Sequence, residues 1–206
     1  MSKIKTVGIV GTGVIGTGWI IRNLAHNKIV HAYDQNKNLK NYVLKEIKRT
    51  SKSIKKLFGK KILIKNLKFF NSLEKALSNV DFVQESVLEN YKVKTDLIQK
   101  ISKYVKSNVI ISSSSSGLLP SKIFSKSKNP QRGIIGHPFN PAYLLPAVEI
   151  VPGKKTTRKF LSDANKYYKS ISMRPIMLKK ELPGYLSDRL QEALWREGLH
   201  LSLIHI

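Results

Sequence analysis

The chain contains no cysteine, so neither a disulfide nor a thiolate site is open to it, which fits a cytoplasmic setting. Acids are scarce: 13 Asp and Glu stand against 37 Lys and Arg, a formal charge of +24. Arginine is scarce as well, at 7 of those 37. A protein built for a polyanion is expected to cluster Arg with interleaved aromatics. Here the lysines are spread among Asn, Ile and Ser, as AT-rich codons would place them, and nucleic acid is not the expected partner. No apolar run approaches the roughly 20 residues that cross a bilayer. MSKIK is followed at once by VGIVG, which leaves no apolar segment for a signal peptide, so no membrane partner is expected. What is present is a 206-residue chain, 41% hydrophobic, long enough for one substantial domain and the beginning of another.

The first 35 residues form the clearest unit. IKTVGIV is a short β-branched run typical of a buried parallel strand. GTGVIGTGW turns into a helical stretch, WIIRNLAHN, and a second strand, KIVHAYD, ends on Asp34. Gly11, Gly13 and Gly16 fall on G-x-G-x-x-G. Gly11 permits the tight turn, Gly13 lets backbone approach a pyrophosphate, and Gly16 lets helix pack close to strand. Val14 and Ile15 complete the helix start, whose N–H groups face the phosphates. Asp34, at the end of the second strand, can bind both ribose hydroxyls and would repel a 2′-phosphate. The expected cofactor is therefore NAD rather than NADP, and no metal is expected.

Strand and helix patterns alternate from there: LKFF, NSLEKALS capped by Asn71 or Ser72, VDFVQES, NYKVKTDLIQKISKYV, NVIISSS, RGIIGH, AVEIVPG, a helix from about Thr156 to Lys169, and ISMRPIMLK. This order predicts an α/β doubly wound, mostly parallel Rossmann-like sheet, with ligands gathered beyond the carboxyl ends of the strands. Residues 45–65, KEIKRTSKSIKKLFGKKILIK, read as a Lys-decorated amphipathic helix pair with Ile47, Ile54, Leu57 and Phe58 inward. Its outer face is either simply solvated or meets an anionic ligand tail. From Leu182 the character changes. LPGYLSDRLQEALWREGLHL has Pro-Gly punctuation and then helical periodicity, the start of a helical C-terminal domain after a dinucleotide-binding domain over 1–181. An amphipathic helix with nothing to pack on predicts a truncated chain. The terminal LSLIHI resembles translated sequencing adapter, and no function is expected of Leu203–Ile206.

Polar candidates stand at strand ends and in the loops after them: Glu89, Ser116, His137 with Asn140, and Asp188 in the last helix. GHPFNPAYLLPAVEIV, residues 136–151, places a single acid, Glu149, inside an apolar run. Alcohol oxidation needs a base for the hydroxyl proton and donors that hold the oxygen. His137 has the right chemistry for the base, and Glu149 could fix its tautomer and stabilise the imidazolium. From residue types alone the bland alternative stands equally: a turn histidine and an exposed edge-strand acid.

In order and spacing, GTGVIG, ESVLENYKVK, SSSSSGLLPS, GHPFNP with Glu149, and PGYLSDRL resemble the 3-hydroxyacyl-CoA dehydrogenase superfamily. The resemblance implies a catalytic core of Ser116, His137 and Glu149. It further implies cofactor contacts at Asp34, Glu89, Lys94, Ser116 and Asn140, and a helical domain that completes the substrate pocket and forms a homodimer. SSSSGLLPS, GHPFNPAYLLPAVEIV, MRPI and PGYLSDRLQEALWREGLHL resemble the L-carnitine dehydrogenase branch. That branch implies oxidation of the 3-hydroxyl of L-carnitine to 3-dehydrocarnitine, with Ser116, Asn140 and Asp188 toward substrate. The acyl-CoA branch usually has Asn at the position of Asp188, and a carboxylate there suits a cationic substrate. Phe139, Tyr143 and Trp195 are the rings available to a quaternary ammonium. VLENYKVK and the Lys-rich segment favour the rival, a 3-hydroxybutyryl-CoA dehydrogenase; L-gulonate 3-dehydrogenase ranks third. A catalytically silent NAD-binding structural protein is the non-enzyme alternative.

Overall fold

The computed structural model describes residues 4–205, so Met1–Lys3 and Ile206 lie outside the described residues. The chain runs β1 (Thr6–Val10), α1 (Val14–Ala25), β2 (Ile29–Tyr33), α2 (Leu39–Phe58), β3 (Leu67–Phe70), α3 (Leu73–Leu77), β4 (Phe82–Glu85) and α4 (Tyr91–Tyr104). It continues through β5 (Ile110–Ser113), α5 (Pro120–Ile123), β6 (Gly133–Pro138), β7 (Ala147–Pro152), α6 (Arg158–Ser170), β8 (Arg174–Met177) and α7 (Ser187–His205). Eight strands form one sheet in the order β3-β2-β1-β4-β5-β6-β7-β8. Every pairing is parallel except β6 with β7, which is antiparallel. The expected mostly parallel, doubly wound sheet is what forms.

Side chains alternate across a strand, and the apolar strands therefore feed two cores. Ile9, Ile110, Ile134 and Ile150 point to one face, with Trp19, Ile20, Leu24, Ile47 and Tyr168. Val10, Ile111, Ile135 and Val151 point to the other, with Leu77, Ile98, Ile101 and Tyr185. Mostly apolar strands are expected where both faces are covered, which makes the buried Glu85 and Glu149 stand out.

The Lys-rich segment differs from expectation. Its residues up to Phe58 belong to one 20-residue helix, α2, that begins at Leu39, before the run, and ends where Gly59 turns left-handed at φ 64°; in place of a second helix there is only a 3-10 turn, Ile64–Asn66. Lysine is a good helix former, so nothing in the run breaks the helix before that glycine. Its buried stripe is Val43, Ile47, Thr50 and Ile54; Leu57, expected inside, is 51% exposed. The short α5 after the serine loop was not expected at all. Ser72 caps α3 as read, its hydroxyl accepting from the Lys75 N–H at 3.5 Å. Helix α7 forms as expected but buries none of its residues. Among the described residues no helix is long and apolar enough to cross a membrane.

Candidate active site

In a sheet of this winding the crevice lies where strand order reverses, here between β1 and β4. The glycine loop fills one side of it. Gly11 has φ +88°, and its N–H donates to the Tyr33 carbonyl at 2.9 Å. A Cβ on Gly11 would meet the Ser86 carbonyl oxygen at 2.6 Å, and one on Gly16 would lie 1.8 Å from the Gly11 oxygen. Both positions therefore require glycine. Gly13 is different: a Cβ there would meet nothing within 4 Å. It opens α1, whose first turn has neither a side-chain cap nor an acid. Unsatisfied N–H groups facing open space suit a pyrophosphate.

Asp34 follows β2 and holds the loop. Its Oδ2 accepts from the Thr12 N–H at 2.6 Å and the Thr12 hydroxyl at 3.2 Å, and its Oδ1 accepts from the Asn36 N–H at 2.9 Å. A carboxylate has about four acceptor positions, so one remains, for one ribose hydroxyl rather than the two expected, because Thr12 and Asn36 take the others. These residues fit NAD.

The other side of the crevice is built from the ends of β4, β5 and β6. A cleft of about 230 Å³ is lined by Ile15, Ser86, Val87, Glu89, Lys94, Ser114, Ser116, His137 and Pro138. Ile15, Glu89, Lys94, Ser116 and His137, all expected at the site, thus meet in one place. Lys94 is 1% exposed; its Nζ donates to Glu85 Oε1 at 2.8 Å and to the Val87 carbonyl at 3.0 Å, and lies 3.4 Å from Glu89 Oε2. Glu89 in turn accepts from the Ser115 hydroxyl at 2.5 Å, the Ser116 N–H at 3.0 Å and the Gly117 N–H at 3.4 Å. Burial works against its charge. The Ser115 hydroxyl, Lys94 and the two N–H groups outweigh that and hold its carboxyl below the ordinary range. Lys94 thus lines the cleft and ties Glu85 to Glu89, and Glu89 fixes the loop that carries Ser116.

The antiparallel β6–β7 hairpin explains the acid inside an apolar run. Its register pairs His137 directly with Glu149, and Nδ1 of the imidazole lies 2.8 Å from Glu149 Oε2. Glu149 is 0% exposed, so the exposed edge-strand alternative does not hold. With Nδ1–H directed at the carboxylate, Nε2 is left as the basic nitrogen. Burial opposes the charge of Glu149 too. Donors from His137, from the Ser187 hydroxyl and N–H, and from the Leu186 N–H together bring its carboxyl below the ordinary range. The loop after His137 is pinned by Arg22 of α1, 1% exposed, which donates to the carbonyls of Ala142 at 3.1 Å and Leu145 at 2.8 Å.

Asp188, in the first turn of α7, has its carboxyl raised by burial, opposed by His137 and reinforced by Glu149 and Glu89. It therefore shares the electrostatic field of the pair. Asn140 is exposed beside a cis Asn140–Pro141 bond and is not among the residues lining the cleft. The three candidate rings are not brought together. Phe139 lies 5.9 Å from the His137 ring, Tyr143 packs against the core, and Trp195 is 62% exposed. Among residues that sequence reasoning missed, Glu85 carried the same signal as Glu149, an acid within an apolar strand. Ser187 and Arg22 carried none, since their partners lie far along the chain.

Comparison with known proteins bears on this geometry. Residues 6–182 match the family model described as 3-hydroxyacyl-CoA dehydrogenase, NAD binding domain. The chain belongs to this family. L-Carnitine dehydrogenase of Oceanobacillus iheyensis is 43% identical over 199 residues, 96% of this chain and 65% of the relative. That of Pseudomonas putida is 43% identical over 202 residues, 98% of this chain and 63% of the relative. The chain thus spans under two thirds of the length of these relatives. Among solved structures of the fold, an NAD+ dependent dismutase, 5-formyl-3-hydroxy-2-methylpyridine 4-carboxylic acid 5-dehydrogenase, superposes with a TM-score of 0.89 at 26% identity, covering 97% of this chain and 65% of that one. The (S)-3-hydroxybutyryl-CoA dehydrogenase of Ralstonia eutropha superposes with a TM-score of 0.81 at 26% identity, covering 92% and 68%. Membership of the 3-hydroxyacyl-CoA dehydrogenase family places the glycine loop and Asp34 in its NAD-binding domain.

Proposed function

We propose that the protein carrying this chain oxidises the 3-hydroxyl of L-carnitine to 3-dehydrocarnitine. The observation that carries the reading is His137, held by the buried Glu149 at 2.8 Å and lining one cleft with Ser116. NAD, when bound, supplies the hydride acceptor. Nε2 of His137 takes the hydroxyl proton, Glu149 stabilises the imidazolium that forms, and the Ser116 hydroxyl donates to the substrate oxygen.

The substrate assignment draws on charge. In a chain of +24, the charges of Glu149 and Glu89 both bear on Asp188, beside His137. An acid-rich corner in an acid-poor protein favours a quaternary ammonium over the phosphates of a CoA ester. The carnitine dehydrogenase relatives point the same way.

We also infer that 1–181 is the dinucleotide domain and that 182–206 opens a second, helical domain. That domain would complete the pocket and join two copies in the cytoplasm, where NAD is at hand. The exposed apolar face of α7 supports this.

The test is NADH absorbance with the protein made to the length of its relatives, offered L-carnitine and, separately, (S)-3-hydroxybutyryl-CoA. Turnover is expected with carnitine, and turnover with the CoA ester alone would transfer the assignment to the acyl-CoA branch. His137→Ala should lower kcat by about 10²–10⁴-fold and leave NAD affinity nearly unchanged. Equal loss of both would make His137 structural and remove it as the base.

A further inference from the structure

We propose that Ser187 is a positioning residue that sets the proton affinity of His137 through Glu149, an assignment that rests on the dehydrogenase reading above. The Ser187 hydroxyl donates to Glu149 Oε2 at 2.6 Å, the same oxygen that lies 2.8 Å from His137 Nδ1. The other oxygen, Oε1, accepts from the N–H groups of Leu186 at 3.0 Å and Ser187 at 2.9 Å. All four acceptor positions of a carboxylate are thus occupied, in a residue with 0% exposure.

Leu186, just before α7, has no polar side chain with which to cap the helix. The carboxylate of Glu149 takes that place and receives the first N–H groups. Glu149 is therefore shared between the imidazole and the start of α7. A hydroxyl that donates to Oε2 draws negative charge from the oxygen facing His137. It leaves less of that charge to stabilise the imidazolium, and so lowers the proton affinity of Nε2. A general base works best when that affinity matches the working pH.

The other charged groups around the pair are Glu89 and Lys94, which line the cleft with His137, and Asp188 of α7, whose charge meets both His137 and Glu149. The Tyr185 ring lies 5.7 Å from His137, with its hydroxyl donating to the Leu118 carbonyl at 2.7 Å. On β8 the register partner of Glu149 is the apolar Ile176. None of these groups donates to Oε2, which is shared by His137 and Ser187, so removal of the Ser187 hydroxyl isolates its effect.

The experiment uses the 206-residue chain itself, labelled at histidine nitrogen and followed by NMR across pH, with His137 assigned by its loss in His137→Gln. In Ser187→Ala the His137 titration midpoint should rise by about 0.5–1 pH unit, less than the full worth of a hydrogen bond to a charged group because the hydroxyl acts on the imidazole through Glu149. Ser187→Thr, which keeps the hydroxyl, should return it to the wild-type position. A simple helix-start role would lower thermal stability and leave the midpoint in place. A folded Ser187→Ala with an unmoved or lowered midpoint overturns the proposal. Ser187→Gly, tolerated at helix starts, is read in the same way if the alanine variant does not fold. In the longer protein the acidic limb of kcat/KM should move with the NMR midpoint. If carnitine is not turned over but the midpoint rises in Ser187→Ala, the substrate reading fails and the link from Ser187 to His137 stands.

Discussion

Helices α2 and α7 are nearly equal in length, 20 and 19 residues, and both repeat apolar residues at helical spacing. They end in opposite conditions. In α2, Ile47 and Ile54 are 0% exposed; in α7, Leu194 and Trp195 are 77% and 62% exposed. Net charge does not explain the contrast, because α2 is the helix crowded with lysine. The difference is that α2 has α1 and the core beneath its stripe, whereas α7 meets the body through its first turn. An amphipathic pattern therefore announces that a helix wants a partner without saying where the partner is. What holds the start of α7 is polar: the buried acid Glu149, which accepts from Leu186 and Ser187.

The contrast is broken most strongly at the buried end. Ile47→Ala should cost roughly 2–5 kcal/mol, since the side chain is fully enclosed and α2 cannot collapse into the space. Urea unfolding of the two proteins measures it. Next in size is Gly16→Ala. Its Cβ would fall 1.8 Å from the Gly11 carbonyl oxygen, so helix α1 must back away from the strand. We expect a loss of about 1–3 kcal/mol, with NAD affinity falling further because the loop itself is displaced. Fluorescence titration with NADH reads the second part.

How far the sequence reaches follows the same division. Gly11, Gly13, Gly16 and Asp34 could be read because their partners are close along the chain and each residue type has one geometric reason to be there. Glu149 could be singled out because an acid breaks an apolar strand, but its burial required the antiparallel register that sets it opposite His137. The extent of α2 was misread because lysine neither starts nor stops a helix, and Gly59 alone marks the end. The Ser187–Glu149 contact spans 38 residues, and no local pattern announces a serine hydroxyl turned toward a carboxylate.

A smaller effect tests the polar joint between the two regions. Hydrogen bonds hold the Glu149 carboxyl below its ordinary range despite burial. A group whose folded value is lowered adds stability above the unfolded value, about 4.3 for Glu, and that stability is lost as pH falls through the folded value. Glu149→Gln should thus cost on the order of 1–2 kcal/mol at pH 7 and progressively less toward pH 3. Thermal melts of both proteins across that range give the sign directly. A constant difference would mean that the amide fails by shape rather than by charge.

The smallest effect is expected at Leu194→Ala. By hydrophobicity the residue is the equal of Ile47, yet its side chain is already in water, so truncation removes no buried contact and should stay within about 0.5 kcal/mol. The informative step is to repeat the substitution in the protein made to the length of its relatives. If the added residues cover α7, the same leucine should then cost about 2–5 kcal/mol, and the two helices would become alike. If the cost stays small at full length, the apolar face of α7 is not a domain contact, and the proposed second domain would have to be built without it.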